Sequence, residues 1–282
     1  MLYDAQPPDQ QPGLVAALET VNAEAAPDFR GLWIGRDDRD GIANAGWLQM
    51  LPGRTGVLWP PRPDRHAARS ILESTSSQAR EAGLSLAQTL VDPRDAQRRQ
   101  LLAETGFPHL VDLDYLGAPA DTFPREQPAT PLRFQTVGEE ARDRMTSAVD
   151  ETYIDSLDCP KLSGVRSTGD VLEGYKHQGE HDPDLWFTAS ADGEDVGVLI
   201  LARHPSPVIE LVYMGVVPSA RGNGWGHDIV RFAQWRSREN HAERLVLAVD
   251  ASNEPALRMY TRAGFQRFQS KSVHAVLIPN AV

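Results

Sequence analysis

Apolar and polar positions along the chain follow two periods, which divide it into short strands and amphipathic helices. Strands are predicted where β-branched and aromatic residues dominate a short run, and helices where apolar residues recur every three to four positions. The predicted strands cover residues 29–34, 46–51, 55–59, 84–91, 110–116, 186–191, 196–203, 208–217 and 244–249. The predicted helices cover residues 65–83, 94–105, 224–239 and 254–263. Strands interspersed with helices indicate an α/β fold.

The same order of elements occurs twice, at a constant offset. Landmark residues of the first half recur 158 positions later in the second half. The matched pairs are Pro60 and Pro218, Asp92 and Asp250, Gly106 and Gly264, and Phe107 and Phe265. This shared offset favours two copies of one unit, each with a central mixed sheet flanked by helices. Two unrelated α/β domains are the alternative.

A proline-rich segment separates the two halves. Residues 117–131 (GAPADTFPREQPATP) contain four prolines and lack hydrophobic periodicity, which is typical of an extended linker. The sequence therefore predicts an N-terminal domain over 1–116, a linker over 117–131 and a C-terminal domain over 132–282.

A glycine-rich loop in the second half carries the clearest chemical signal. It follows the strand 208–217, which is apolar except for Glu210, and it precedes an amphipathic helix. Gly222, Gly224 and Gly226 would let the backbone approach a ligand closely, while the new helix offers unpaired N–H groups and its positive end. This placement favours a pyrophosphate-binding loop, with Arg221 at its lip as a fixed cation. The alternative is an ordinary flexible loop.

Two familiar phosphate-binding patterns do not fit this loop. A dinucleotide fingerprint requires a third glycine where His227 stands. A nucleoside triphosphatase loop requires Gly-Lys followed by Ser or Thr, which is missing from the loop.

The loop resembles the signature of the GNAT N-acetyltransferase superfamily, Arg/Gln-x-x-Gly-x-Gly/Ala. Arg221, Gly224 and Gly226 meet this pattern directly after a buried strand. A second part of the family pattern follows downstream at the familiar spacing. It consists of Asn253, Ala256, Tyr260, Gly264 and Phe265. The resemblance covers about residues 131 to 278 well, and it implies tandem GNAT-like domains, each with a mixed, mostly antiparallel sheet.

The resemblance also implies that acetyl-CoA is the co-substrate and that main-chain groups bind it. Backbone N–H groups from Gly222 to His227 would hold the pyrophosphate, and the strand edge at Met214–Val216 would bind the pantetheine arm. Family members splay this strand from the next one, and the Met214 N–H corresponds to the donor that polarises the acyl carbonyl. The predicted cofactor-binding residues are Met214, Val216, Arg221, Gly222, Asn223, Gly224, Trp225, Gly226, His227 and Asn253.

Two residues are candidates for proton transfer. Tyr260 stands at the family's general-acid position, where its hydroxyl would protonate the departing thiolate; the alternative is a core tyrosine. Glu210 is the only charge in its strand, and it is the candidate base for an ammonium nucleophile; the alternative is a carboxylate at the solvent-facing start of the strand. Asn253 is expected to cap the following helix as well as reach the cofactor.

Other polar residues give weaker signals. Glu151, Tyr153 and Asp155 fall in or just beyond the first helix of the C-terminal domain, on a segment that often lines the acceptor pocket in this family, although a solvated helix end is the more economical interpretation. His177 and His181 lack a third ligand at metal spacing, so no metal is expected. Cys159 has no visible basic partner and is interpreted as structural.

The first copy lacks the features of the loop. At the offset positions, Pro63, Asp64, His66 and Ala68 replace the arginine and the glycines, and prolines supply no N–H donors. The N-terminal half is therefore interpreted as a degenerate copy that supports the second. This arrangement is similar to that of mycothiol synthase and other double-GNAT enzymes.

Composition limits the remaining possibilities. The 282 residues carry a net charge of −11, which disfavours nucleic acid or anionic membranes as partners. No apolar stretch is long enough to predict a membrane span. A single cysteine is compatible with a reducing cytoplasm, which is the predicted location.

Together these observations predict an N-acyltransferase that moves an acetyl or other short acyl group from CoA to a primary amine. The acceptor would be a small molecule or a peptide, and its identity stays open, as does the oligomeric state. One alternative is acetylation of an amino-sugar conjugate, as by mycothiol synthase. Another is a module that senses CoA without turnover.

Overall fold

The computed structural model describes residues 1–23, 27–138, 142–204 and 207–278. Contacts divide the chain into two units. The N-terminal unit comprises Met1–Val111, Gly164–Arg166 and Ser272–Val282, and the C-terminal unit comprises Asp112–Ser163 and Ser167–Lys271.

The N-terminal unit combines a mixed sheet with helices. Its elements are α1 (Leu2–Ala5), α2 (Gln11–Asn22), β1 (Leu32–Arg36), β2 (Ile42–Leu51), β3 (Thr55–Trp59), α3 (Ala68–Glu81), β4 (Leu86–Val91), α4 (Ala96–Glu104) and the start of β5 (His109–Pro119). Strands β1, β2 and β3 pair antiparallel, and β4 pairs parallel with β3. The end of β11 (Gln266–Leu277) pairs antiparallel with β4 and completes this sheet. Its core contains Leu48, Leu58, Leu72, Leu102 and Phe107.

The first residues of the chain cover the carboxyl ends of β3 and β4. Gln6 donates from Nε2 to the carbonyl of Pro60 at 2.9 Å, and Gln10 donates to the carbonyl of Leu90 at 2.7 Å. Leu14 of α2 is completely buried in a cluster that also contains Trp47. The amino-terminal segment is therefore part of the folded unit, and its amide side chains bind the backbone where the parallel pair ends.

The C-terminal unit contains the segment with the loop motif. Its elements are the rest of β5, β6 (Arg133–Thr136), α5 (Arg142–Tyr153), α6 (Thr168–Lys176), β7 (Trp186–Ala191), β8 (Glu194–Arg203), β9 (Val208–Val216), α7 (Trp225–Glu239), β10 (Arg244–Asp250), α8 (Glu254–Arg262) and the start of β11. Its sheet has the strand order β5-β10-β9-β8-β7-β6. All neighbours are antiparallel except β9 and β10, which α7 connects as a parallel pair.

Apolar side chains cover both faces of this sheet. On one face Leu199 and Leu201 of β8 pack in the same buried cluster as Ile229 and Ala233 of α7. On the other face, residues of α5 and α6 pack with Tyr213 and its neighbours in a second cluster. Burial on both faces explains why β8 and β9 are almost continuously apolar.

The predicted elements agree with the structure at most positions. Strands β3 and β7 have the predicted bounds, and the bounds of the other predicted elements differ by at most four residues. The pattern gave no prediction for α1, α2, β6, α6 or β11. Helix α3 begins at Ala68 rather than 65, because Ala67 has a left-handed backbone (φ 62°) that interrupts the helix.

Part of the predicted linker lies in a strand. Gly117 pairs with Val246 and Pro119 pairs with Arg244, so the prediction of an extended linker is wrong for residues 117–119. Strand β5 is longer than predicted because it keeps pairing with β10 beyond Leu116, where the predicted strand ends. The domain boundaries stay a prediction.

Candidate functional site

Strands β9 and β10 separate partway along their length. They are paired in register at three positions, the last of which joins Glu210 to Val246. Strand β9 nevertheless stays paired with β8 as far as Val216. Residues 211–216 of β9 and 247–250 of β10 therefore enclose an opening, which we call the fork. This is the splay that the family resemblance implies.

The register of β8 and β9 determines which backbone groups face the fork. The Val217 N–H donates to the carbonyl of Val196 at 3.0 Å, so Val217 points toward β8. Successive residues of an extended strand point their N–H and C=O groups to opposite edges, so Gly215 also faces β8. Met214 and Val216 consequently direct their backbone groups into the fork, as expected of an edge that binds a ligand through the main chain.

A β-bulge accompanies the separation of the two strands. The pairing of Ile200 with Tyr213 is followed by that of Leu201 with Leu211, which leaves Val212 as an extra residue in β9. A bulge bends its strand and increases the local twist. The bulge lies two residues beyond the last pair with β10, which is consistent with a strand that turns away from its neighbour.

The glycine loop leads directly into α7. Gly222 and Gly224 have left-handed backbones (φ 85° and 83°), and a Cβ at either position would meet nothing within 4 Å. Glycine is therefore required here by backbone conformation rather than by crowding. The N–H groups of His227 and Asp228 bond the carbonyl of Gly224. The first N–H groups of the helix, at Trp225 and Gly226, have no acceptor within the helix.

A cavity of about 580 Å³ lies along this loop and the first turn of α7. Gly222, Gly224, Trp225, Gly226 and His227 line it. At Gly226 a Cβ would lie 2.9 Å from the sulfur of Met259 on α8, so this glycine also permits close packing of two helices. A helix end with unpaired N–H groups beside a cavity of this size fits an anionic ligand such as a pyrophosphate.

Arg221 is held by hydrogen bonds to backbone carbonyls. Its guanidinium donates to the carbonyls of Val216 (3.0 Å), Asp155 (3.0 Å), Thr152 (3.1 Å) and Ile154 (2.7 Å). The side chain thus joins the end of β9 to the end of α5 and satisfies carbonyls that a helix end leaves unpaired. These bonds fix the guanidinium beside the loop, and its part in cofactor binding stays a prediction.

The fork contains a second cavity of about 450 Å³. Met214, Val216, Arg221, Gly226, Asn253 and Tyr260 are among the residues that line it. The cavity therefore brings together residues from both parts of the sequence motif.

Tyr260 is 6% exposed, and burial together with the carboxylate of Asp158 raises the pKa of its hydroxyl. In the described part of the chain this hydroxyl has no hydrogen-bond partner. The hydroxyl therefore stays protonated at neutral pH and borders the cavity.

Asn253 has the predicted capping role. Its side-chain oxygen accepts a hydrogen bond from the N–H of Ala256 at 3.3 Å, and α8 begins with Glu254 and Pro255. The prediction of an N-cap is confirmed, and the residue also lines the fork cavity.

Glu210 lies at the closed end of the fork, next to the cavity-lining Leu211 but outside the residues that line the cavity. Its carboxylate is 2.7 Å from Nε2 of His204, and both side chains are about 30% exposed (27% and 32%). The hydrogen bond to Glu210 raises the pKa of His204. Burial and the charge of Glu210 raise the pKa of Tyr115 to about 12. His204 was not recognised from the sequence; its place six residues before Glu210 was a signal for this pairing.

Two aspartates at the mouth of the fork were also missed. Asp158 accepts a hydrogen bond from the N–H of Asp250 at 3.1 Å, and Asp250 accepts one from the N–H of Cys159 at 3.2 Å. These bonds attach the segment after α5 to the end of β10. Burial and the two carboxylates raise the pKa of Cys159 to about 12, so its thiol stays protonated, which supports a structural interpretation.

The remaining candidates lie apart from the fork, with one exception. Asp155 lines the fork cavity, while the hydroxyl of Tyr153 bonds that of Tyr175. His177 is paired with Glu173, and His181 packs against Trp186.

Within the described ranges, no group of three or more His, Cys, Asp or Glu side chains is placed to hold a metal ion. The helices of those ranges also include none with the length and apolar character needed to cross a membrane.

Comparison with known proteins agrees with this geometry. Residues 150–265 match the model of the Acetyltransferase (GNAT) family. This part of the chain is similar to that family. The match contains the fork, the glycine loop and α8, so the recognised motif and the observed site coincide.

Similarity to named relatives is confined to part of the chain. A mycothiol acetyltransferase of Thermomonospora curvata is 38% identical over 87 residues, which cover 31% of this chain and 29% of the relative. A mycothiol acetyltransferase of Corynebacterium glutamicum is 27% identical over 121 residues, which cover 43% and 41%. The similarity thus spans less than half the length of these relatives.

Solved structures resemble the fold along the whole chain. A GCN5-related N-acetyltransferase from Sphaerobacter thermophilus has a TM-score of 0.65 at 16% identity, and covers 100% of this chain and 95% of that one. A tandem GNAT protein from the clavulanic acid biosynthesis pathway has a TM-score of 0.55 at 15% identity, with coverage of 96% and 95%. The predicted α/β class with tandem GNAT-like domains is confirmed.

Proposed function

We propose that this protein transfers an acetyl or other short acyl group from acetyl-CoA to a primary amine. The observation that carries the proposal is the fork, where the backbone groups of Met214 and Val216 face an opening beside the N-terminus of α7. The GNAT match over residues 150–265 contains every residue named for this chemistry. The single cysteine supports a reducing cytoplasm as the location.

The residues of the fork would hold CoA through the main chain. The first N–H groups of α7 and the loop from Gly222 would bind the pyrophosphate, while the β9 edge at Met214 and Val216 would bind the pantetheine amides. Asn253, at the start of α8, borders the same cavity. When bound, CoA supplies a thioester whose acyl carbon an amine can attack.

Three groups of the chain would then act on the reacting atoms. The Met214 N–H would donate to the acyl oxygen as negative charge develops there, an effect worth about 3 kcal/mol in other enzymes. Glu210 would accept a proton from the ammonium form of the amine. Tyr260, which remains protonated because burial raises the pKa of its hydroxyl, would donate its proton to sulfur.

The acceptor is proposed only as a class. Mycothiol acetyltransferases in the comparison support an amino-sugar conjugate as one candidate, and the proposal extends to other small-molecule or peptide amines. A module that senses CoA without turnover is the second candidate function. Tyr260 lines the fork cavity, which favours turnover.

Calorimetric titration with acetyl-CoA and free CoA tests the central step. Gly224→Val would force a β-branched residue into a left-handed backbone at the start of α7, and we expect it to abolish saturable binding. Gly193→Val is the matched control, because Gly193 has a similar backbone (φ 90°) with open space around it. Gly193 lies between β7 and β8, away from both cavities. Equal binding by the wild type and Gly224→Val would show that the loop does not hold CoA.

A further inference from the structure

We propose that His204 is a positioning residue for Glu210, so that the proton taken from the acceptor amine is held by the two side chains as a pair. This inference rests on the proposed function, in which Glu210 is the base. It assigns a role to a histidine at the closed end of the fork that no sequence motif marks.

The geometry of the pair supports this assignment. His204 directly follows β8, and its N–H donates to the carbonyl of Val208 at 3.1 Å, which attaches His204 to the start of β9. Nε2 of His204 lies 2.7 Å from Oε2 of Glu210, a distance typical of a hydrogen bond with a charged partner. Both side chains are about two-thirds buried or more, so water screens their interaction only in part. The imidazole therefore fixes the orientation of the carboxylate.

Two neighbouring arginines make contacts with groups other than Glu210. Arg203, the preceding residue, donates to Asp182 and Asn240. Arg244 of β10 lies over the ring of Phe268 at 4.5 Å. These two cations are thus engaged in other contacts.

Tyr115 of β5 is a second titratable group whose pKa is affected by Glu210. Burial and the carboxylate of Glu210 raise its pKa to about 12, so it stays neutral at physiological pH. Since Tyr115 stays neutral, it does not take up the proton of the amine, and that role is left to the pair of His204 and Glu210.

The pair is better suited than a lone carboxylate to accept a proton from an amine. A glutamate with an ordinary pKa of about 4.3 is a weak base for an ammonium group, whereas an imidazole has an ordinary pKa of about 6.5. An N–H bond of the ammonium breaks, and the pair gains that proton. A carboxylate beside a neutral imidazole thereby becomes a carboxylate beside an imidazolium, with charge conserved. General-base catalysis is most effective when the pKa of the base lies near the working pH.

This role predicts a particular dependence on pH. The pair can accept a proton only while His204 is neutral, so activity should rise as His204 loses its proton. Because the hydrogen bond to Glu210 raises the pKa of His204, this rise should occur above pH 6.5, the ordinary value for histidine.

Two substitutions separate positioning from proton uptake. His204→Gln keeps an N–H donor near the carboxylate but cannot take up a proton, whereas His204→Phe removes both properties. His177→Gln is the control, because His177 forms a similar pair with Glu173 (3.5 Å) on the exposed surface of α6. Thiol release from acetyl-CoA would be measured from about pH 5 to pH 9 with D-glucosamine, L-lysine and spermidine as amine probes.

We expect His204→Gln to lose the acid limb of the kcat profile and about tenfold in kcat, with KM for acetyl-CoA unchanged. His204→Phe should lose about 100-fold in kcat, and His177→Gln should match the wild type. NMR titration of the full chain should show a raised pKa for His204, which falls in Glu210→Gln because the carboxylate that raises it is gone. The NMR result does not depend on finding an acceptor.

The possible failures are distinguishable. An active wild type whose acid limb persists in His204→Gln would overturn the role of His204 and leave the proposed function intact. An unshifted His204 in the wild type would do the same. Saturable CoA binding without thiol release from any of the three amines would overturn both the transfer reaction and this role, and would leave a CoA-binding module. Absence of CoA binding would overturn the proposed function itself.

Discussion

Arg221 offers the most direct test of how the site is held together, because one side chain donates to four backbone carbonyls. Arg221→Ala would remove the bonds to Val216, Asp155, Thr152 and Ile154. Hydrogen bonds to charged groups contribute about 1.5–3 kcal/mol each where water is excluded, and much less where water can replace them.

The exposure of these carbonyls sets the expected magnitude. Ile154 and Asp155 are exposed, so water can replace the guanidinium there, whereas Thr152 is buried and Val216 is partly buried. Two bonds of about 1 kcal/mol each then give a loss of about 2 kcal/mol in the free energy of unfolding. For a folding unit of about 150–250 residues, such as the C-terminal one, that loss corresponds to a fall in Tm of about 4–8 °C.

Thermal and urea unfolding would measure this loss, and calorimetry would measure binding of acetyl-CoA. Arg221→Lys should recover part of the stability, since an ammonium has three donors and cannot reproduce the planar fork of a guanidinium. Arg258→Ala is the control, because the pair of Arg258 with Glu254 lies on the exposed surface of α8 and should contribute less than about 0.5 kcal/mol.

The two measurements together distinguish two roles for Arg221. A free energy of unfolding within about 0.5 kcal/mol of the wild type would refute the argument that the guanidinium secures α5 to β9. If stability were unchanged while acetyl-CoA affinity fell more than tenfold, Arg221 would instead be the cofactor-binding cation that the motif predicts.

Two further outcomes follow from the chemistry of the fork. Tyr260→Phe should lower kcat about 100-fold and change the Kd of acetyl-CoA by less than about twofold, as measured by thiol release and calorimetry. Equal kcat would remove Tyr260 as the acid. Cys159 should react with a thiol reagent at least about tenfold more slowly in the folded chain than in the same chain unfolded in urea, because its pKa is raised to about 12 and thiolate is the reactive form. Equal rates at pH 8 would contradict that raised pKa.

The sequence was most informative where a local rule determines the structure. Gly222 and Gly224 have the left-handed backbones expected of a glycine loop, and Asn253 caps α8 as its position before Glu254-Pro255 predicts. Apolar residues at nearly every position of 208–217 indicated a covered strand, and the residues of β9 are buried or partly buried. In each case a few consecutive residues carry the information.

The sequence was least informative where contacts join distant residues. The N–H groups of Arg221 donate to carbonyls more than sixty positions earlier in the sequence. No local pattern could therefore predict these hydrogen bonds. The same reason explains why residues 117–119 were assigned to a linker rather than to β5, and why Asp158 and Asp250 were not recognised as neighbours. Pairing of His204 with Glu210 depends on a reversal of chain direction between two strands.

The amino-terminal segment has a consequence for how its unit is ordered. In the N-terminal unit, the amides of Gln6 and Gln10 bond carbonyls near the ends of β3 and β4, so the segment acts as a permanently tethered ligand of its own unit. A tethered group competes at an effective concentration that can reach the millimolar range for a short connection, without requiring high affinity. Because both bonds are made within one chain, the order that they give to the ends of β3 and β4 does not depend on a bound molecule.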